Sequence, residues 1–211
     1  GAKAVAGVGV GGMYVWLSQG LASLSRMGGQ VNTAQACGRK DYDQARSYAA
    51  GSLQLTALSG ILFAAVCVIF IQPLLGFFNL TDAETYTAAR SYTLITCGLI
   101  LFSYLNLTLT GLSTAQGDSK TPLYFLLGSS AGNIILDLIF VAQFHWGVAG
   151  VAWATFIAQG ISAVLALVTL FSRLRSFAGE EKQPFFDRGY FTQIFAIAVP
   201  SILQQSVLSV G

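Results

Sequence analysis

Residues 122–141 read PLYFLLGSSAGNIILDLIFV. Twenty residues pass with a single charged side chain, Asp137, and no Lys or Arg. About 20 mostly apolar residues are what a helix needs to cross a hydrocarbon core of roughly 30 Å. The run is too long and unbroken for the alternating pattern of an outer-membrane barrel strand. The whole chain has the same character: of 211 residues 54% are hydrophobic and 9% charged, and the mean hydropathy is +0.64. Soluble domains carry about 25% charged residues, so too few charges exist here to cover a water-facing surface. A net charge of +2 is also far too small for a nucleic-acid partner, which needs clustered Lys and Arg to replace counterions along phosphates.

Working outward, segments 8–36, 48–70, 88–115, 148–171 and the run from 191 onward reach the same length, giving six expected spans. Gly is frequent inside them, as close helix packing in a membrane allows. The connectors alternate in charge. Arg39, Lys40 and Arg46 follow the first span, Lys120 the third, and Arg173, Arg175, Lys182 and Arg188 the fifth. Asp82 and Glu84 lie between the second and third, and Gln143 to Gly147 between the fourth and fifth. The positive-inside rule makes the Lys and Arg connectors cytoplasmic, with Lys3 and Arg90 alone on the outer side. The expected class is all-α: a multi-pass helical protein of the cytoplasmic membrane whose first span runs from outside to inside. With no signal-peptide pattern at Gly1 and an apolar run still open at Gly211, the expectation is a fragment of a longer chain.

Several motifs have ordinary explanations. Gly7-Val8-Gly9-Val10-Gly11-Gly12 fits GxGxxG, but no strand precedes it and no acidic residue lies near position 32, so a nucleotide site is not expected. His145 stands beside Trp146 in a short outer turn and reads as interfacial, as do Trp16 and Trp153 as belt or packing residues. Cys37, Cys67 and Cys97 have no CxxC spacing. No nucleophile elbow, HExxH or paired-carboxylate site is present, so neither an enzyme nor an organic cofactor is expected.

Asp137 is the informative residue, because an ionised carboxylate at a bilayer centre costs about 2.5–3.5 kcal/mol on insertion scales. It lies 17 residues beyond Lys120, roughly 25 Å of helix, in the outer half; the competing reading has it merely reach outer water. If the turn is centred on Trp146, Asp137 lies level with Thr155, and Asn133 with Gln159. Each pair of same-helix residues is four apart and shares a face. A carboxylate, two amides and a hydroxyl then offer oxygen ligands for Na⁺, or a proton site at Asp137. No other metal is expected. Two further polar faces, Ser103, Asn106, Thr110, Ser113 and Gln19, Ser23, Arg26, Gln30, read as interhelical glue or as the lining of a water-filled cavity. Three such faces in one bundle favour a pathway.

Gly28-Gly29-Gln30-Val31, Ala34-Gln35-Ala36-Cys37-Gly38, Gly117-Asp118-Ser119-Lys120-Thr121-Pro122, Gly132-Asn133-Ile134-Ile135-Leu136-Asp137 and Gly147-Val148-Ala149-Gly150-Val151-Ala152-Trp153-Ala154-Thr155 together resemble the multidrug and toxic compound extrusion (MATE) transporters, near the DinF-like branch. The resemblance implies about twelve helices in two pseudo-symmetric lobes, and export of cationic or amphipathic drugs in exchange for Na⁺ or H⁺. It makes residues 1–175 the N-terminal lobe without its first helix, 176–190 a cytoplasmic linker, and 191–211 the start of the second lobe. The chain then holds helices two to six and part of seven of a lobed bundle, with the C-terminal lobe of the same full-length chain as its partner.

In archaeal members of the family an Asp of the first helix, an Asn and Asp of a later one and a Thr of the next hold the coupling cation; the first-helix Asp would lie upstream of Gly1, and the other three map onto this chain. They fall on Asn133, Asp137 and Thr155; Gln159 is added from depth matching alone. The substrate cavity is expected at Gln30, Ser103, Asn106 and Thr110, with Gln204 and Gln205 projecting at the lobe boundary. A lipid-linked oligosaccharide flippase of the same superfamily is the alternative, with Arg26 as the only candidate for gripping pyrophosphate. A non-transporting channel or receptor is the third reading.

The charge alternation predicts topology. In a cysteine-free background, Lys40→Cys, Lys120→Cys and Lys182→Cys should be protected from an impermeant thiol reagent added outside cells, while His145→Cys should react. Labelling of the first three from outside would reverse the orientation.

Overall fold

The computed structural model describes residues 2–79, 82–177 and 188–210. They form helices α1 (Ala2–Gly38), α2 (Tyr42–Ile69), α3 (Ile71–Gly76), α4 (Ala83–Gly98), α5 (Leu101–Ala115), α6 (Lys120–Asp137), α7 (Gly147–Phe177) and α8 (Arg188–Val210). A π-helical segment, Leu138–Gln143, continues α6, and no strand occurs among the described residues. Helices are the forced choice in lipid, since each backbone donor and acceptor is satisfied within its own segment.

Local chemistry sets the turns. α1 stops where Lys40 takes φ 59°, and the Asp41 carboxylate then accepts from Gln44 N at 3.1 Å to start α2. Asp82 caps α4 in the same way, accepting from Thr85 N at 2.9 Å.

By length and composition, α2, Lys120–Gln143 and Gly147–Arg173 can each cross a membrane, and α4 with α5 makes a fourth span bent by 46°. The bend corrects the expectation of one continuous helix over 88–115. Gly98, the weakest ordinary helix former, ends α4, and Leu99 leaves helical geometry at φ −112°, ψ 23°. α1 and α8 are helical where spans were expected but fall outside this apolar set among the described residues. α1 carries several polar residues, of which Ser18, Ser25, Asn32 and Thr33 are buried where it packs against α2, α4, α5 and α8.

Close approach is built in at small residues. A Cβ on Gly7 would lie 2.8 Å from both Ala88 Cβ and Ala89 N on α4, and one on Gly28 would collide with the Ile194 carbonyl of α8. Interhelical hydrogen bonds do the rest. Tyr104 OH donates to Ser18 O at 2.8 Å, Ser52 Oγ to Ser25 O at 2.7 Å, and the Thr56 and Thr108 hydroxyls meet at 2.8 Å. A core of Ala49, Leu109, Leu112, Ala166 and Leu170 joins α2, α5 and α7, whereas α6 has no buried residue and rests mainly on α7.

One ion pair bears on sidedness. Arg173 Nη2 near the end of α7 lies 2.7 Å from Asp118 Oδ2 in the α5–α6 connector, so these two connectors share a side, as the charge pattern requires. Lys182 lies outside the described residues. Partial burial alone would raise the Asp118 carboxyl, but hydrogen bonds from Thr121 and Lys120 and the nearby guanidinium outweigh it and hold it below its ordinary value. A lowered folded value means that the contribution to stability is present above the ordinary carboxylate range and is lost as pH falls through the folded value. Asp118→Asn in the full-length protein should therefore lower the unfolding temperature at neutral pH, with the gap to the parent closing on acidification toward about pH 3. A gap that stays constant down to that pH would remove the carboxylate from the account.

Candidate functional site

The α6–α7 hairpin positions the first cluster. Asn133 Nδ2 donates to Thr155 Oγ1 at 3.3 Å, and the Thr155 hydroxyl in turn donates to Val151 O at 3.0 Å. The turn is therefore centred on Phe144 rather than Trp146, and the expected depth matching shifts by four residues. Asn133, not Asp137, stands opposite Thr155. Asp137 lies level with Val151 and shares with it a separate depression of about 330 Å³, lined otherwise by Ile134, Leu138, Val141 and Ala142. The shift comes from the π segment. It bonds i to i+5, as in Phe144 N to Ile139 O at 3.1 Å, so its residues are spent on circumference rather than rise. His145 and Gly147 then turn back through positive φ.

Asp137 is the last residue before that π segment. It is half-buried, and its Oδ1 is buried with no hydrogen-bond partner among the described residues. An orphaned carboxylate oxygen in apolar surroundings is costly and has capacity for a cation or a proton. Tyr92 of α4 lies within electrostatic reach of it. Sequence reasoning missed Tyr92, since one tyrosine in a mixed segment carries no periodic signal.

Gln159 does not join this cluster. One turn further along α7, its Oε1 accepts from Asn106 Nδ2 at 2.6 Å, and its backbone carbonyl accepts from the same amide at 2.8 Å. This pair borders a cavity of about 580 Å³ between α1, α5, α6 and α7. Of the expected polar faces, Gln19 and Arg26 line it from α1, and Ser103, Asn106 and Thr110 from α5. Gln30 does not line it; its amide sits against Gly111. Ser113 borders a smaller pocket of about 50 Å³ with Asn106 and Gln159. The side chains of Gln204 and Gln205 lie outside the described residues. Ser18, Tyr104 and Thr114 also line the large cavity and were not anticipated. Thr155 belongs to both places, bonded to Asn133 on one side and lining the cavity on the other.

The MatE family model matches residues 1–139. The chain belongs to the MatE family. It is thus an all-α, multi-pass membrane protein of a transporter family, as the motifs implied. Among its relatives, the probable multidrug resistance protein NorM of Thermotoga maritima is 27% identical over 176 residues, which cover 81% of this chain and 38% of NorM. The probable multidrug resistance protein YpnP of Bacillus subtilis is 31% identical over 129 residues, 61% of this chain and 27% of YpnP. The crystal structure of MATE in the bent conformation superposes with a TM-score of 0.88 at 22% identity, over 100% of this chain and 47% of that one. The chain therefore spans about half the length of the solved MatE structure, and less of these two relatives.

The Asn106–Gln159 link is the polar tie between α5 and α7. Interhelical hydrogen bonds in membranes contribute about 0.6 kcal/mol on average and up to about 1.7, so Asn106→Leu should destabilise the full-length protein by about 1 kcal/mol, read as a lower unfolding temperature in detergent. An unchanged temperature would mean that the link contributes nothing to the bundle.

Proposed function

We propose that this chain is the first lobe of an antiporter that exports cationic or amphipathic compounds across the cytoplasmic membrane by alternating access, coupled to Na⁺ or H⁺. Residues 1–175 form the lobe, 176–190 the cytoplasmic linker and 191–211 the start of a second lobe, which completes the pathway. The motifs around Gly117–Pro122 and Gly132–Asp137 support a place in the DinF-like branch. The observation that carries the reading is the orphaned Oδ1 of Asp137 beside the Asn133–Thr155 hydrogen bond. One carboxylate and neutral amide and hydroxyl oxygens suit a hard monovalent cation or a proton. Among the described residues no group of three or more His, Cys, Asp and Glu offers a site to another metal.

Coupling requires cation and exported compound to favour different states of one bundle, because a ligand with equal affinity for both states shifts nothing. Asp137 is where binding of a proton or Na⁺ changes net charge inside a span. In this reading Asn133 and Thr155, about one turn from the carboxylate, supply neutral oxygens that replace part of the ion's hydration shell. The flippase alternative has a single guanidinium, Arg26, in the lobe's cavity, against the several that gripping a pyrophosphate would call for.

In the full-length transporter, Asp137→Asn should leave expression and insertion intact while abolishing cation-driven efflux of a fluorescent drug from vesicles. Thr155→Ala and Asn133→Ala should weaken efflux without abolishing it. Undiminished efflux by normally expressed Asp137→Asn would assign Asp137 to outer water instead.

A further inference from the structure

The large cavity has a polarity that the transport reading does not use. Its lining combines apolar side chains such as Val15, Leu107, Leu123 and Leu126 with neutral polar ones, and contains no Asp or Glu. Arg26 is its one charged residue. The Arg26 Nε is buried, and it has no hydrogen-bond partner among the described residues; no carboxylate of those residues pairs with its guanidinium. An Arg inside a membrane span faces a water-filled cavity or a partner, and marks a substrate path when no protein partner is present.

Space has been made for this side chain. A Cβ on Gly111 of α5 would lie 2.9 Å from Arg26 Cγ, so the alkyl stem lies against bare helix backbone. The stem is thus packed while the Nε stays without a partner, which leaves a positive charge facing a pocket with an apolar wall. Such a charge repels a cationic head group. Its planar fork of donors matches a carboxylate, sulfonate or phosphate.

We propose that this cavity takes the anionic group of an amphipathic compound, held by Arg26, with the apolar body against the leucine-lined wall. The inference rests on the transport reading and narrows its substrate class. The same chemistry is offered by a free amphiphile or by an anionic lipid headgroup.

The test uses the full-length transporter in phosphatidylcholine vesicles and two probes with one hydrophobe and opposite charge, pyrenebutyrate and pyrenebutylamine. The butyrate should bind about 10-fold or more tightly than the amine. Arg26→Gln should weaken butyrate binding about 10-fold, the loss expected for a charge-assisted hydrogen bond, and leave the amine unchanged or tighter. Arg26→Lys, which keeps the charge and loses the fork, should fall between. Adding phosphatidylglycerol separates the sources. Competition with the butyrate in the parent but not in Arg26→Gln assigns the site to a lipid headgroup, and no competition assigns it to the free amphiphile.

Equal or tighter binding of the amine by the parent overturns the proposal, whatever the variants do, and so does butyrate binding that a folded Arg26→Gln leaves unchanged. Gradient-driven efflux of both probes from the same vesicles separates this from the transport reading. Binding preference without efflux of either probe keeps the Arg26 site and rejects transport. Efflux of either probe together with butyrate binding that Arg26→Gln leaves unchanged keeps transport and rejects the site.

Discussion

A helix of 37 residues that carries Ser18, Gln19, Ser25, Arg26, Asn32 and Thr33 cannot offer all its faces to lipid, and the bundle is organised by that constraint. Ser18, Ser25, Asn32 and Thr33 are buried. Neighbouring helices bring donors to the carbonyls of α1, Tyr104 from α5 to Ser18 and Ser52 from α2 to Ser25. Asn32 spends its amide on Gly28 O at 2.8 Å and on Gln193 O of α8 at 3.4 Å. Gly7 and Gly28 let α4 and α8 approach closely enough for this to work. Gln19 and Arg26 are left over, and they border the cavity. The cavity is thus the part of the polar face of α1 that no neighbour covers.

The α6–α7 hairpin has the opposite character. α6 buries nothing of its own and is tied to α7 by two side-chain hydrogen bonds, Asn133 to Thr155 and, at the far end, Arg173 to Thr121 beside the Arg173–Asp118 ion pair. Few packing contacts and few hydrogen bonds are what low local stability looks like. One wall of the cavity, with Pro122, Leu123 and Leu126, therefore belongs to a helix that buries none of its residues. The π segment that follows Asp137 adds a second soft point, since i to i+5 geometry is rarely stable unless its surroundings hold it.

Span length, charge alternation and the quoted motifs made the helical class, the shared side of the α5–α6 connector and the α7 end, and the family legible from sequence. Of the periodic faces, Gln19 and Arg26 on α1 and Ser103, Asn106 and Thr110 on α5 border the large cavity, whereas Ser23, Gln30 and Ser113 do not. What failed was register. Depth matching assumed an ideal helix up to the turn, and the π segment moved Asn133 opposite Thr155 and handed Gln159 to Asn106. The break at Leu99 was missed for a related reason: 88–115 is long and apolar enough on average to read as one span, and hydropathy is blind to a backbone kink. Tyr92 and Tyr104 entered the sites through tertiary packing of α4 and α5, which no one-dimensional pattern reports.

The two compartments of the lobe constrain how it could couple. Asp137 does not line the large cavity, and Arg26 does not border the depression beside Asp137. In the proposed reading, therefore, cation and exported compound do not compete for one set of ligands within this lobe, and their coupling passes through structure. A physical route needs an element with two arrangements that both sites bias. Thr155 is the residue the two places share, and its partner Asn133 lies on α6, which buries no residue, while α1, α4 and α5 are locked by glycine contacts and buried hydrogen bonds. In that reading, charge arriving at or leaving Asp137 acts first on the π segment and the Asn133–Thr155 bond, and α6 is the wall of the cavity placed to move with them. The rigid part of the lobe then holds Arg26 still while the wall facing it changes.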